Sequence, residues 1–336
     1  MNLKQKKITN NKFRNKNSIK KRLLTTLLIL ISFAVLSQSE ITENEIKDHI
    51  LFLTSEKNAG RYPGGKANRY VVSYLKNNFK TIGLNNFNKN YKQKFKASLR
   101  VEKGEIEKPL VNTYNVIGYL EGNDPKLKNE FIILGAHYDH LGLGGPSSKS
   151  DKKNTIHYGA DDNASGTAAL LEIAEKIASQ KNKLKRSVLF VAFGAEEQGL
   201  LGSKYFVNNP PIELSKIKLM INMDMVGRLN TENHIYVNGA GSFPDGVRFM
   251  KNLGESLNLT PIVHAGSVGG SDHVSFYQKK IAVLGIHTGA HPQYHKPEDT
   301  IDLINISGEK IICYYIYKAI MALATTNYTM TFIEQD

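Results

Sequence analysis

Apolar positions follow two rhythms along this chain. Ile46, Ile50 and Leu53 recur at helical spacing, Arg61-Tyr62-Pro63-Gly64-Gly65 interrupts, and Ala67, Tyr70, Val71, Tyr74, Leu75 and Phe79 resume the period. The pattern predicts two amphipathic helices. From Asn86 to Tyr119 the signal weakens, and alternation over Tyr114 to Leu120 suits a strand near a sheet edge. The middle of the chain reads differently, with short unbroken apolar runs at residues 131–136, 188–193 and 219–223. Strands buried on both faces of a parallel sheet have this composition. Between the first two runs, Gly166 to Ala178 is apolar at Ala168, Leu171, Ile173, Ala174 and Ile177, an amphipathic helix. Strand, helix and strand at roughly 30-residue intervals make a βαβ repeat. A further strand is expected at Ile281 to Ile286 and a closing helix at Ile306 to Ala324. The expected fold is therefore α/β, a three-layer sandwich with a central mixed, largely parallel β-sheet flanked by helices. No linker-like stretch divides residues 45–325. Residues 40–328 read as one domain and 329–336 as a C-terminal tail.

Composition narrows the class. At 336 residues, 41% hydrophobic and 22% charged, the chain is neither collagen-like nor disordered. The net charge of +13 suggests nucleic acid until the charges are located. Residues 1–22 hold nine Lys or Arg and no acid, which leaves +4 for the rest. Beyond this leader there is no basic run with interleaved aromatics, so a nucleic-acid partner is not expected. The leader is followed by the uncharged stretch Leu23 to Leu36 and by Ser37-Gln38-Ser39-Glu40. Residues 1–37 thus read as a signal peptide or an uncleaved N-terminal anchor, and the remainder as exported. Any contact with a membrane would come through an uncleaved leader. The single cysteine, Cys313, falls in an apolar stretch and reads as a small buried hydrophobe, so neither a disulfide nor a thiol nucleophile is expected.

The chemistry gathers where the predicted strands end. The first runs into His137-Tyr138-Asp139-His140, the second into Glu196-Glu197 and the third into Asp224. Asp161-Asp162-Asn163 precedes the helix at Gly166, and His295 lies near the end of the chain. In open α/β sheets ligands collect at the carboxyl ends of strands, so residues far apart in sequence meet there. Imidazole mixed with carboxylate, without thiolate, is the donor set of a hydrolytic zinc site. Two divalent cations, balanced by three carboxylates and one hydroxide, would be buried near neutrality.

Five segments resemble the co-catalytic di-zinc exopeptidase family, which includes bacterial leucyl aminopeptidases and glutamate carboxypeptidase II. They are Gly135-Ala136-His137-Tyr138-Asp139, Gly159 to Gly166, Ala195 to Ser203, Asn222 to Gly227, and Tyr294-His295 with Glu298-Asp299-Thr300. The resemblance spans about residues 45–325 and implies a zinc-exopeptidase, phosphorylase/hydrolase-like sandwich. It implies that Asp162 bridges two zinc ions, with a cis peptide to Asn163. His137 and Asp224 would complete one site, and Glu197 and His295 the other. Glu196 would be the general base, and Asp139 the acceptor that orients the His137 ring. His140, His157, His287 and His291 are expected to be hydrogen-bonded neighbours or surface residues, because five residues already fill both sites. Gly269-Gly270-Ser271-Asp272-His273 resembles a loop that flanks the active site.

The expected function is an exported aminopeptidase acting on peptide substrates. A carboxypeptidase or dipeptidase of the same architecture stays open. Single-zinc glutaminyl cyclase is disfavoured by the presence of both His137 and Asp224. A non-catalytic binding ectodomain is disfavoured because the ligand and base positions are all intact.

Overall fold

The computed structural model describes residues 40–87, 89–266 and 269–335. The leader at 1–37 lies outside the described residues.

Helix α1 (Glu43–Leu53) starts at Thr42, whose side chain accepts the Glu45 N–H, and buries Ile46, Ile50 and Leu53. Helix α2 (Lys66–Ile82) buries Val71, Val72, Leu75 and Phe79 and stops at Gly83, which takes the left-handed conformation. Strands β1 (Lys92–Ser98) and β2 (Leu110–Leu120) form an antiparallel pair. The parallel core follows: β3 (Phe131–His137), α3 (Gly166–Ala178), β4 (Ser187–Phe193), α4 (Leu201–Asn208) and β5 (Ile217–Met223). The chain closes with β6 (His234–Asn238), α5 (Gly246–Glu255), β7 (Thr260–Val263), α6 (His273–Tyr277), β8 (Ala282–His287) and α7 (Ile306–Ala324).

The eight strands lie in the order β1-β2-β4-β3-β5-β8-β6-β7. The four central strands β4, β3, β5 and β8 run parallel. The pairs β2–β4 and β6–β8 are antiparallel. The sheet is thus mixed and largely parallel, as its apolar runs predict. Every residue of β3 and β4 is buried, because both faces are covered. On one face Ile132, Leu134, Phe190 and Leu284 pack with Leu75, Leu171 and Ile316 from α2, α3 and α7. On the other, Ile133, Leu189, Val191 and Val283 pack with Phe206 and Phe276 from α4 and α6. Edge strand β1 exposes Lys94 and Lys96, charges that oppose pairing with another strand.

Residues 329–335, outside any helix or strand, pack back on the domain. Met330 is buried in the core, and the Ile333 N–H donates to the Ser242 carbonyl. The Gln335 N–H donates to the Tyr277 hydroxyl, and its side-chain amide to the Gly241 carbonyl. Residues 41–336 cluster as one compact unit. Cys313 is buried and unpaired. Among the described residues no helix is long and apolar enough to cross a membrane.

Candidate metal centre

The carboxyl ends of β3, β4 and β5 lie side by side, and they deliver His137, Glu196-Glu197 and Asp224 to one end of the sheet. Asp162 comes from the turn before α3, where the Asp162–Asn163 peptide is cis. His295 comes from the loop after β8. Backbone strain marks three of these arrivals: Ala195, Met225 and His295 have φ of 59°, 63° and 59°, costly for residues with a Cβ.

All five expected ligands meet. His137 Nε2 lies 3.3 Å from Asp162 Oδ1 and 3.3 Å from Asp224 Oδ1. His295 Nε2 lies 3.2 Å from Asp162 Oδ2 and 3.1 Å from Glu197 Oε2. Bonds of about 2.0–2.2 Å to one tetrahedral cation place its ligand atoms about 3.3 Å apart, the edge of the tetrahedron. These contacts match that edge, and each Asp162 oxygen serves a different histidine. The histidine tautomers agree. His137 Nδ1–H faces the Asp139 carbonyl at 3.2 Å, and His295 Nδ1–H donates to the Ser147 carbonyl at 2.9 Å. In both rings Nε2 is left free to ligate.

The electrostatics fit the same donor set. Burial disfavours the charged ring of His137, but Asp224, Glu196 and Asp162 outweigh it and raise its pKa well above the usual range. His295 is likewise pushed up to about 10, against burial, by Asp162 and Glu197. Burial pushes Asp162 and Glu197 up, but the histidines facing them reverse this and hold both low. Without a metal, protons bridge these pairs. A cation would take the protons' place.

Glu196 is half-buried on the wall of the same cavity. Burial, with help from Glu197, Asp224 and Asp272, raises its pKa well above the usual carboxylate range despite the opposing His137. Asp139 sits differently from expectation. Its carboxylate Oδ1 is 4.0 Å from His137 Nδ1 and instead accepts the Glu196 N–H at 3.0 Å. The contact with the His137 ring runs through the Asp139 carbonyl, and the carboxylate anchors the turn that carries Glu196. Burial, added to by Glu197, pushes this carboxyl up to about 7.

His140 is a buried neighbour of the ligand set. Its Nδ1 is 2.8 Å from Glu197 Oε1, a hydrogen-bond length, and 3.9 Å from Asp162 Oδ2. The ring therefore donates to the Glu197 oxygen that His295 does not face, although His140, Asp162 and Glu197 are also close enough to form a donor cluster. His291 Nε2 is 3.3 Å from Asp161 Oδ2, and His157 is held by Ser148 and Thr155. His287 stacks on Tyr236. Gly269, Gly270, Ser271 and His273 line the cavity.

Other supports carried no role in the sequence reading. The Asp299 carboxylate accepts the backbone N–H groups of Asp161 and Asp162 at 3.0 Å each and an Arg228 Nη2–H at 2.9 Å. The Asn163 amide donates to the Met223 carbonyl and accepts the Met225 and Gly166 N–H groups, which ties the Asp162 turn to the end of β5. Only glycine fits at position 166, where a Cβ would lie 2.4 Å from Asn163 Oδ1. Arg61, from the Arg-Tyr-Pro-Gly-Gly break, holds the segments carrying His137 and Asp162 through backbone carbonyls. In sequence Asn163, Gly166 and Asp299 carried only the signal of lying inside the motifs, Arg228 that of following one, and Arg61 only that of a break between helices.

Fold and donor set together define an α/β protein with a paired histidine–carboxylate centre at the carboxyl end of its parallel strands. The family model for peptidase family M28 matches residues 115–319, and the chain belongs to that family. It is similar to leupeptin-inactivating enzyme 1 of Streptomyces exfoliatus, 31% identical over an alignment 209 residues long that covers 58% of this chain and 43% of that one. The chain thus matches less than half the length of this curated relative. Among solved structures, a zinc aminopeptidase from Bacillus subtilis aligns over 89% of this chain and 99% of its own, with a TM-score of 0.68 and 18% identity. A glutaminyl cyclase from Bacteroides thetaiotaomicron aligns over 84% and 98%, with a TM-score of 0.66 and 20% identity. One fold carries both chemistries, so the site has to decide between them.

Proposed function

We propose that this chain is an exported zinc-dependent aminopeptidase that removes N-terminal residues from peptides. His137, Asp162 and Asp224 would hold one zinc ion, and Asp162, Glu197 and His295 the other. The observation that carries this reading is the Asp162 carboxylate, whose two oxygens are divided between two histidine–carboxylate pairs at tetrahedral-edge spacing. A single-ion cyclase would leave His137 and Asp224 without an ion. When bound, the ions supply Lewis acidity, which polarises the scissile carbonyl and acidifies a water molecule.

The protein's own groups do the rest. Glu196, with its raised pKa, takes the proton of the attacking water on its carboxylate and returns it to the nitrogen of the leaving amine. Asp139 holds Glu196 in place through the Glu196 N–H. Carbonyls take the Nδ1–H groups of His137 and His295, so Nε2 is the nitrogen each ring would give to an ion in exchange for its proton. His140 holds the far oxygen of Glu197. Export is supported by the basic leader and the apolar stretch behind it.

The test uses the purified full chain with free and acyl-blocked aminoacyl chromogenic substrates. Hydrolysis of the free-amine substrates alone, lost to a chelator and recovered with two equivalents of zinc, is the expected result. Two bound ions with no peptidase activity would defeat the proposal, and turnover of blocked substrates would move it to a carboxypeptidase or dipeptidase.

A further inference from the structure

Residues 57–101 hold eleven Lys or Arg and no Asp or Glu. With nine cations in residues 1–22 and a total of +13, all other residues together carry −7. Spread along the chain these charges make no basic run, and only the fold brings them together. Arg61 is buried, and the other ten side chains are exposed or half-buried. Among the described residues none of the ten stands within ion-pair distance of a carboxylate, and the Lys and Arg ion pairs all lie elsewhere.

Two rows of these cations border one surface. Along α2, Lys66, Arg69, Lys76 and Lys80 recur at spacings of three, seven and four, which makes one stripe of a helix. Tyr74 stacks on Phe52 of α1 with ring centroids 3.7 Å apart. Tyr74 and the stripe lie on opposite flanks of α2, each roughly 120° round the helix from its buried face. Helix α1 packs inward on α3 and α7, and α2 sits over β2, where the missing Cβ of Gly118 makes room for Phe79. The stripe therefore faces outward, toward edge strand β1. There Lys92, Lys94 and Lys96 alternate onto one face of the sheet, opposite Val116, Tyr114 and Asn112. Val116 belongs to the core beneath α2, so this is the face that α2 covers. Phe95 and Ala97 turn to the other side. The stripe spans roughly 21 Å and the strand row roughly 13 Å.

We infer that this face docks on the surface of an anionic phospholipid bilayer. All but Arg69 of its cations are Lys, hydrated point charges on flexible stems that suit diffuse charge and read no fixed geometry. Among the described residues of 57–101 the only exposed large hydrophobic side chain is Tyr70. The ammonium groups of Lys57 and Lys66 stand over its ring at 4.7 and 5.7 Å. The face thus offers no platform on which nucleic-acid bases stack and no apolar wedge for insertion, which leaves attraction between charges. The sequence reading confined membrane contact to a retained leader, and the fold supplies a second contact within the folded domain. Each Lys or Arg held near an anionic bilayer raises partitioning about fivefold. The contact needs neither the zinc site nor its activity.

The test uses the chain from Glu40 onward, which holds the whole compact unit and lacks the leader's own charges. Co-sedimentation is measured with vesicles of phosphatidylcholine alone and with about 30% phosphatidylglycerol, at about 0.1 M and 1 M salt. Expected is binding to anionic vesicles only, lost at high salt, and weakened about 100-fold by Lys92→Gln, Lys94→Gln and Lys96→Gln together. The triple variant Arg69→Gln, Lys76→Gln and Lys80→Gln should weaken it as much, and guards against a folding defect in the edge strand. Lys216→Gln, Lys218→Gln and Lys279→Gln remove the same charge beside β5 and β8, away from this face, and should leave binding within about threefold of wild type. Equal binding to neutral vesicles, no binding to anionic ones, or an equal loss in the control triple would overturn the inference. So would a DNA duplex or an acidic polypeptide that binds more tightly than the anionic vesicles at the same salt.

Discussion

Arg61→Met should be among the most damaging single substitutions in the chain, although residue 61 touches no expected ligand. The Arg61 side chain is fully buried and all its bonds go to carbonyls. Nε donates to Tyr138 at 2.7 Å, Nη1 to Leu53 at 3.0 Å and Tyr158 at 2.7 Å, and Nη2 to Gly159 at 3.0 Å. Tyr138 follows His137, and Gly159 precedes the Asp161-Asp162 turn, so one guanidinium fixes the spacing of both segments. Burial lowers its pKa to about 10, against the pull of Asp162, Asp139, Asp299 and Glu197, and it stays charged at neutral pH. Charge-assisted bonds contribute about 1.5–3 kcal/mol each, but their sum overshoots because the variant no longer buries a charge. The expected loss is about 3–5 kcal/mol, the range for leaving buried partners unpaired. Removing the cation also leaves the acidic cluster less compensated. The deficit should therefore be larger in metal-free than in zinc-loaded protein. Urea unfolding of both forms is the assay. A variant within about 1 kcal/mol of wild type in both would refute the reasoning.

Three further outcomes are expected. Glu196→Gln should lower kcat by about 10²–10⁴-fold with zinc content unchanged; loss of zinc would mean that Glu196 and Glu197 had been assigned the wrong way round. Removing zinc with a chelator should lower the melting temperature, since ligand at a thousand times Kd stabilises by about 4 kcal/mol, and unchanged melting would argue against metal in the folded state. Glu309 is fully buried with neither oxygen bonded, and burial, with Asp161 and Glu172 adding to it, raises its pKa well above the usual value of 4.5. The folded state then binds a proton that the unfolded state has released, so this group's contribution falls by about 1.4 kcal/mol per pH unit above about 4.5. Glu309→Gln should gain stability over wild type between pH 5 and 8 in urea titrations, and a difference that does not change with pH would contradict the assignment.

Much of the central architecture was legible in the chain. Helix α3 was expected at Gly166–Ala178 and is found there, because a helical apolar stripe and a strand-length apolar run are local signals. Strands β6 and β7 were not read, nor were α4, α5 and α6. His234–Asn238 is five residues long and takes its register from β8, a partner distant in sequence. The contacts of the tail were not legible for a related reason. Met330 and Ile333 look like a short apolar fringe until Ser242 and Tyr277 are brought beside them. At the site, the donor types and their order along the chain were readable. The contact of Asp139 was not, because the Glu196 N–H that draws its carboxylate away comes from the neighbouring strand end.

The sequence alone determined the layered α/β class and the set of imidazoles and carboxylates at the strand ends, since apolar period and donor chemistry are written residue by residue. Only the tertiary structure decided how those donors are shared out. It brought His295 and His140, from segments far apart in sequence, to opposite oxygens of the Glu197 carboxylate at 3.1 and 2.8 Å. The physical reason is that the meeting of side chains from distant segments is set by strand order and packing, which no local pattern encodes.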